Sequence, residues 1–97
     1  MPRNYKVSKY LERFLNKLKK KDKKAYESLL NKMHEIITNI DVDHYKNLRY
    51  GLKDYKSVHV SKSFVLIFMH DKVSDFIYFV DYDHHDKIYG KSYNGYL

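Results

Sequence analysis

The chain has 97 residues, of which 43% are hydrophobic, with one Pro and three Gly, a composition typical of a globular domain rather than a disordered segment. It contains no cysteine, which excludes a disulfide framework, a thiol nucleophile and a thiolate metal site. Nineteen Lys and Arg against twelve Asp and Glu give a formal charge of +7. This excess indicates an anionic partner, with nucleic acid as the first candidate and an acidic protein as the second.

The sequence gives no sign of membrane association. No apolar run approaches the ~20 residues that a membrane-spanning helix needs. Residues 1–5 lack the apolar stretch of a secretory signal. We therefore expect a cytoplasmic protein in which residues 1–97 form a single domain.

The N-terminal half predicts a short strand followed by two amphipathic helices. Residues 4–7 are compatible with the strand, Ser8 is a suitable N-cap for the first helix, and Asp22 for the second. The predicted apolar faces consist of Leu11, Phe14, Leu15 and Leu18 in the first helix, and of Tyr26, Leu29, Leu30, Met33, Ile36, Ile37 and Ile40 in the second. The short polar joint within residues 17–24 favours an antiparallel helical hairpin, whose apolar faces must pack on another element.

The C-terminal half predicts three strands joined by short polar turns. They cover residues 57–61, 64–69 and 76–82. In the first strand, Val58 and Val60 alternate with His59, so the valines are expected to face the helices and His59 the other side. The predicted fold is α+β, with a helical hairpin packed on one face of a small antiparallel sheet and the opposite face available for function.

Histidines in the strand half are the strongest candidates for chemistry. Imidazoles exchange protons near neutral pH, which suits His59 on the open face for acid–base catalysis. His84 and His85 follow the third strand, and alternation predicts that only one of them shares the side of His59. An ordinary surface or turn histidine is the alternative in each case. Metal binding by these histidines and nearby aspartates is a weaker option.

Cations and aromatic residues surround these histidines in sequence. The cations near the loop into the first of the three strands are Lys46, Arg49, Lys53, Lys56 and Lys62. Together they would hold phosphates and stabilise the negative charge of a phosphoryl-transfer transition state, unless they only form a solvated face. Phe64 and Tyr89 are suited to stack on unpaired bases, or to lie in the core.

The order of these elements resembles the RelE/ParE superfamily of type II toxins over nearly the whole chain. The most specific segments are 52–60 (LKDYKSVHV), 64–68 (FVLIF) and 84–90 (HHDKIYG). They reproduce a basic loop led by leucine, a strand, a tight hairpin, a central strand ending in an aromatic residue, and a terminal motif of His before an aromatic residue. The paired histidines make the chain most similar to the YafQ branch.

The resemblance implies a metal-independent endoribonuclease that acts on mRNA, often on the ribosome, and needs no cofactor. It implies that His85 is a general acid or base and that His59 is its partner or a phosphate contact. The aromatic residue of the terminal motif corresponds to Tyr89, which is implied to join the catalytic set or to stack on a base. Phosphate contacts are implied for Lys46, Lys53 and Lys56, and a base contact for Phe64. An acidic antitoxin, in a toxin–antitoxin hetero-oligomer, is the implied partner.

Three positions depart from the family pattern. Ser63 stands where the YafQ branch has an acidic residue, Lys46 where it has a loop histidine, and Val65 where RelE has an arginine. Two alternatives to the nuclease therefore remain: a ParE-like toxin that inhibits DNA gyrase, and a catalytically weak module that binds RNA or antitoxin. The histidines favour cleavage, because a protein that only binds needs no proton-transfer groups.

Overall fold

A computed structural model describes residues 2–47 and 55–88 of the chain. The elements in chain order are β1 (Tyr5–Val7), α1 (Lys9–Lys21), α2 (Lys23–Thr38), β2 (Lys46–Asn47), β3 (Lys56–His59), β4 (Phe64–Asp71), β5 (Phe76–His84) and α3 (His85–Ile88). The predicted α+β class, the two helices and the three main strands are confirmed. Within the described ranges, no helix is both long and apolar enough to cross a bilayer.

Both predicted helix caps form. The Ser8 hydroxyl accepts a hydrogen bond from the Leu11 backbone N–H at 3.1 Å and donates one to the Val80 carbonyl at 2.7 Å. The cap therefore also attaches the start of α1 to the sheet. Asp22 caps α2 by accepting from the Ala25 N–H at 3.1 Å, and its own backbone N–H donates to the Leu18 carbonyl, which ends α1. One residue thus forms the joint of the helical hairpin.

The sheet has five strands in the order β1-β5-β4-β3-β2. Strands β3, β4 and β5 form the predicted antiparallel meander. The sheet as a whole is mixed rather than antiparallel, because β1 pairs with β5 in parallel. Short turns impose opposite directions on consecutive strands, whereas the long segment between β1 and β5 leaves their relative direction unrestricted.

The main core lies between the helical hairpin and one face of the sheet. Its buried members include Leu11, Leu29, Met33, Ile36, Leu66, Phe68, Ile77 and Phe79. Val58 and Val60 pack against this core as predicted. Alternation along β3 then places His59 on the opposite face, where it is exposed.

The opposite face of the sheet is only partly open. Val65, Ile67 and Val80 form a second small cluster there, which Ile88 of α3 covers. The expectation that this whole face is available for function was therefore wrong, because only part of the face is open. The cover exists because the segment after β5 turns into a helix instead of continuing as polar coil.

An ionic clasp ties the β4–β5 turn to the N-terminus and to the end of α2. A single Asp75 carboxylate oxygen lies 2.7 Å from Arg3 Nε and 2.7 Å from His70 Nε2. The Arg3 guanidinium also donates to the backbone carbonyls of Asn39 and Ile40. Asp75 adopts a left-handed φ of 54°, which Asp tolerates better than most side chains. The hydrogen bonds to His70 and Arg3 hold the pKa of Asp75 below its ordinary value.

We expect Asp75→Asn to lower the free energy of unfolding at neutral pH but not in strong acid. A depressed folded-state pKa gives stability that is complete above the ordinary value of 3.8 and is lost as the pH falls through the lower folded-state pKa. Urea unfolding of both proteins at about pH 7 and about pH 3 measures this difference. Glu27→Gln, which removes a negative charge from the exposed face of α2, is the control. An equal deficit of Asp75→Asn at both pH values would contradict the clasp.

Candidate active site

Two of the predicted histidines meet at one end of the sheet. His59 is the last residue of β3 and His85 the first residue of α3, and their ring centroids lie 6.4 Å apart with 43° between the planes. Both side chains are exposed. The separation leaves room for a small group between the rings, which is the arrangement that a two-histidine acid–base pair requires.

The turn between β3 and β4 fixes the position of His85. The His85 backbone N–H donates to the Ser63 carbonyl at 2.8 Å, so the start of α3 is attached to the turn that follows His59. Ser63 occupies the position where the YafQ pattern has an acidic side chain, and its contribution here comes from the backbone. A backbone contact carries no side-chain signature, so the sequence could not indicate this role.

His84 lies beside His85, with ring centroids 5.8 Å apart, and its pairing with Phe64 across β4 and β5 puts it on the face of the sheet that Phe64 occupies. Its ring contacts Phe64 edge-on at 5.7 Å, and Phe64 stacks on Tyr82 at 5.3 Å with 22° between the planes. Phe64 is about one-third exposed, so part of its ring is available to a ligand. Burial raises the pKa of Tyr82, so the phenol stays protonated at neutral pH and does not act as a base.

Asp86 lies beside both C-terminal imidazoles. Its carboxylate oxygens are 3.2 Å from His85 Nδ1 and 3.6 Å from His84 Nδ1. The Asp86 backbone N–H donates to His84 Nδ1 at 3.2 Å. Asp86 was not among the predicted site residues, although its place directly after the two histidines was the available signal.

Of the predicted cations that the structure describes, Lys46 and Lys62 are exposed and Lys56 is buried. Lys46 pairs with Ser57 across β2 and β3, which places it on the same face of the sheet as His59, and it is exposed. Lys62 is exposed in the turn between β3 and β4. The remaining three predicted residues, Arg49, Lys53 and Tyr89, lie outside the described ranges.

Lys56 does not lie with the histidines. It is three residues before His59 on the same strand, so it occupies the helix-packed face, where it is only 8% exposed. Its ammonium group donates to the Asn47 side-chain oxygen at 2.8 Å and to the Tyr45 carbonyl at 3.4 Å. The prediction that Lys56 contacts the reacting phosphate does not fit this position, because the cation is already bonded inside the protein.

Lys46 and Lys56 should therefore respond differently to substitution. Lys46→Ala is expected to reduce the salt dependence of RNA affinity by about 0.7 in a plot of log affinity against log salt, the value for one phosphate contact on a single strand. Lys56→Met should leave that slope unchanged and lower the free energy of unfolding by about 1–3 kcal/mol, because the Tyr45 carbonyl and the Asn47 side-chain oxygen lose their donor. Filter binding at several salt concentrations and urea unfolding measure the two effects. A reduced slope for Lys56→Met would return that residue to the site.

Comparisons with known proteins agree with this fold. No protein-family model matches the sequence. A protein of Methanocaldococcus jannaschii named "Putative toxin RelE4" is 52% identical over 81 residues, which cover 84% of this chain and 84% of that protein.

Three solved structures are similar to the chain. The toxin–antitoxin complex RelBE2 of Mycobacterium tuberculosis matches with a TM-score of 0.69 at 16% identity, covering 88% of this chain and 93% of that one. A mutant of the Escherichia coli toxin RelE in the free state matches with a TM-score of 0.67 at 17% identity, over the full length of both chains. YafQ from Escherichia coli matches with a TM-score of 0.60 at 16% identity, covering 91% of this chain and 99% of that one.

The fold is that of the small RelE-like α+β proteins. The family is established by the 52% identity over most of both chains. The chain belongs to the RelE family of type II toxins and is a toxin of a toxin–antitoxin system. The structural neighbours at 16–17% identity establish the fold alone, so closeness to the YafQ branch stays a prediction.

Proposed function

We propose that the chain is an endoribonuclease that cleaves mRNA, with His59 and His85 as its acid–base pair. The observation that carries this proposal is the 6.4 Å separation of the two exposed imidazoles at one end of the sheet. The formal charge of +7 supports it, because a basic surface attracts RNA. The mRNA substrate, on or off the ribosome, implies action in the cytoplasm.

The chemistry is an attack of the ribose 2′-oxygen on the adjacent phosphorus. One imidazole accepts the 2′-hydroxyl proton, and the other donates a proton to the departing 5′-oxygen as the P–O bond breaks. The products are a 2′,3′-cyclic phosphate and a 5′-hydroxyl, and neither water nor a metal ion is consumed in the step. Either histidine can serve as the base, with the other as the acid.

The remaining proposed contacts are two exposed cations and one aromatic ring. Lys46 and Lys62 are exposed cations that would neutralise phosphate charge. The partly exposed Phe64 ring lies with Tyr82 on the helix side of the sheet, so its proposed contact with a base rests on the family pattern. The remaining predicted contacts, Arg49, Lys53 and Tyr89, lie outside the described residues and enter the proposal from the sequence analysis alone.

An acidic antitoxin is the proposed protein partner. The RelBE2 neighbour is a toxin–antitoxin complex, and a +7 surface favours an acidic binder. A cavity of about 400 Å³ lies between the helical hairpin and the β3–β4 turn, with Lys24 at its rim. Its apolar walls are Phe14, Leu18, Val60, Phe64 and Tyr82. This groove would accept apolar side chains of an acidic segment that wraps the hairpin or covers the cleft.

Mapping of new 5′-hydroxyl ends on mRNA tests the function directly. Cells that express the wild-type chain should accumulate such ends, and cells that express His59→Ala or His85→Ala should not. The same assay on purified mRNA, with and without ribosomes, determines whether the ribosome is required. Growth arrest with intact mRNA and inhibited DNA gyrase would reject the proposal in favour of a ParE-like toxin. Absence of both effects would indicate a module that only binds.

A further inference from the structure

We propose that His84, His85 and Asp86 form a Zn²⁺ site and that the bound ion stops RNA cleavage. The binding part of this inference stands on the geometry of the three side chains. The inhibitory part rests on the proposed function, because it requires His85 to take part in proton transfer. Nothing in the proposed cleavage chemistry needs the ion, so the site would regulate the toxin rather than serve its reaction.

Each imidazole has one Asp86 oxygen at nearly the spacing that two donors of a zinc ion have. Tetrahedral Zn²⁺ with Zn–N distances of about 2.0–2.1 Å places neighbouring donors about 3.3–3.4 Å apart. The Asp86 carboxylate oxygens lie 3.2 Å from His85 Nδ1 and 3.6 Å from His84 Nδ1. All three residues offer donor atoms within 4.8 Å of one another, so a small side-chain rotation closes the set.

His84 directs a hydrogen-bond-accepting nitrogen toward Asp86. Its Nδ1 accepts the Asp86 backbone N–H at 3.2 Å, so this nitrogen carries a lone pair instead of a proton. A zinc ligand must be an unprotonated nitrogen. The ion would replace one long hydrogen bond by a coordinate bond to the same atom.

The setting favours a cation in spite of the basic chain. Residues 81–86 (DYDHHD) hold three of the twelve acidic residues within six positions. The donors stand at the end of β5 and the start of α3, and the His85 backbone is attached to the Ser63 carbonyl at 2.8 Å. A site built on such fixed backbone loses less entropy on binding than one in a loose loop. His84 is half-buried, and His85 and Asp86 are exposed, so an ion can enter from solvent.

Zinc at this position would disable the proposed nuclease. Coordination occupies the Nδ1 lone pair of His85 and holds its ring toward Asp86. Nε2 then keeps its proton, so the ring can no longer accept one as a base, although its centroid stays 6.4 Å from that of His59. The fixed positive charge would still attract RNA, so we expect zinc to reduce the cleavage rate more than the RNA affinity.

Titration of the purified full chain with zinc and with Co²⁺ as a spectroscopic substitute tests the site. We expect one equivalent to bind, with the visible absorption bands of a tetrahedral cobalt centre. His84→Ala and Asp86→Ala should each weaken zinc binding by at least about tenfold. His34→Ala, which removes an exposed histidine on α2, should leave the affinity unchanged. Binding that is absent, or that is insensitive to His84→Ala and Asp86→Ala, would overturn the site.

Cleavage assays with and without one equivalent of zinc test the inhibitory part. Inhibition that EDTA reverses, and that is weaker in Asp86→Ala, is the expected result. Unchanged or faster cleavage with zinc bound would overturn the inhibition. If the metal-free chain cuts no RNA, the proposed function fails, but the cobalt and zinc titrations still decide whether the site exists.

Discussion

His85→Ala is expected to lower the rate of RNA cleavage by about 10²–10⁴-fold, the usual contribution of a positioned acid or base. The effect should be as large for His59→Ala, because each imidazole serves one proton transfer of the same step. The double variant should lose little more than either single variant, since residues that act as a unit are not additive. Rates on a synthetic RNA under single-turnover conditions measure these losses.

The control for these variants is His34→Ala. His34 is an exposed histidine on α2, so its removal changes the histidine count without touching the sheet end. Circular dichroism and urea unfolding should show that all three variants remain folded, because the replaced side chains are exposed. A His85→Ala variant that is folded and cleaves at the wild-type rate would remove this residue from the mechanism.

Phe79→Ala is expected to lower the free energy of unfolding by about 3–5 kcal/mol. Phe79 is completely buried in β5 beneath the helical hairpin. Its ring contacts Phe68 at 6.4 Å and Tyr5 at 5.8 Å, so truncation leaves a cavity between the central strands and the edge strand β1. Urea unfolding followed by circular dichroism gives the loss.

Val73→Ala is the matched control for the core. Val73 is fully exposed in the β4–β5 turn, so its truncation should change stability by less than about 0.5 kcal/mol. A loss below about 1 kcal/mol for Phe79→Ala would contradict the packing of the hairpin on this face of the sheet.

Local patterns were enough to predict the elements that form the core. Ser8 and Asp22 were recognisable as caps because short polar side chains before an apolar period satisfy the first N–H groups of a helix. The alternation of Val58 and Val60 with His59 correctly predicted which face packs on the helices. These signals are local, and the caps and the strand alternation occur in the structure as predicted.

Long-range pairing was beyond the same patterns. The parallel contact of β1 with β5 and the two-residue strand β2 depend on chain direction and register, which no local period encodes. Lys56 shows how an error of one residue in a strand boundary changes the predicted environment of a side chain. The predicted strand began at residue 57 and left Lys56 in a basic loop, whereas the strand begins at Lys56 and alternation turns that side chain toward the helices.

The site was predictable in its residue types and only partly in its geometry. Strand alternation indicated that one of His84 and His85 would share the side of His59, and His85 does. The anchor of His85 on the Ser63 carbonyl and the proximity of Asp86 to both imidazoles arise from the fold of α3. A helix of four residues is too short for the helical repeat of apolar residues to be recognised in the sequence.

The decisive measurement uses a short RNA that the chain cuts at one known bond, with a single 2′-deoxy sugar placed on the 5′ side of that bond. Cleavage at the bond should stop, while the unmodified RNA yields a 2′,3′-cyclic phosphate and a 5′-hydroxyl by mass spectrometry. Both results follow if the paired imidazoles move protons to and from ribose and phosphate oxygens. Continued cutting of the deoxy-substituted bond, or a 5′-phosphate on the product, would contradict that account.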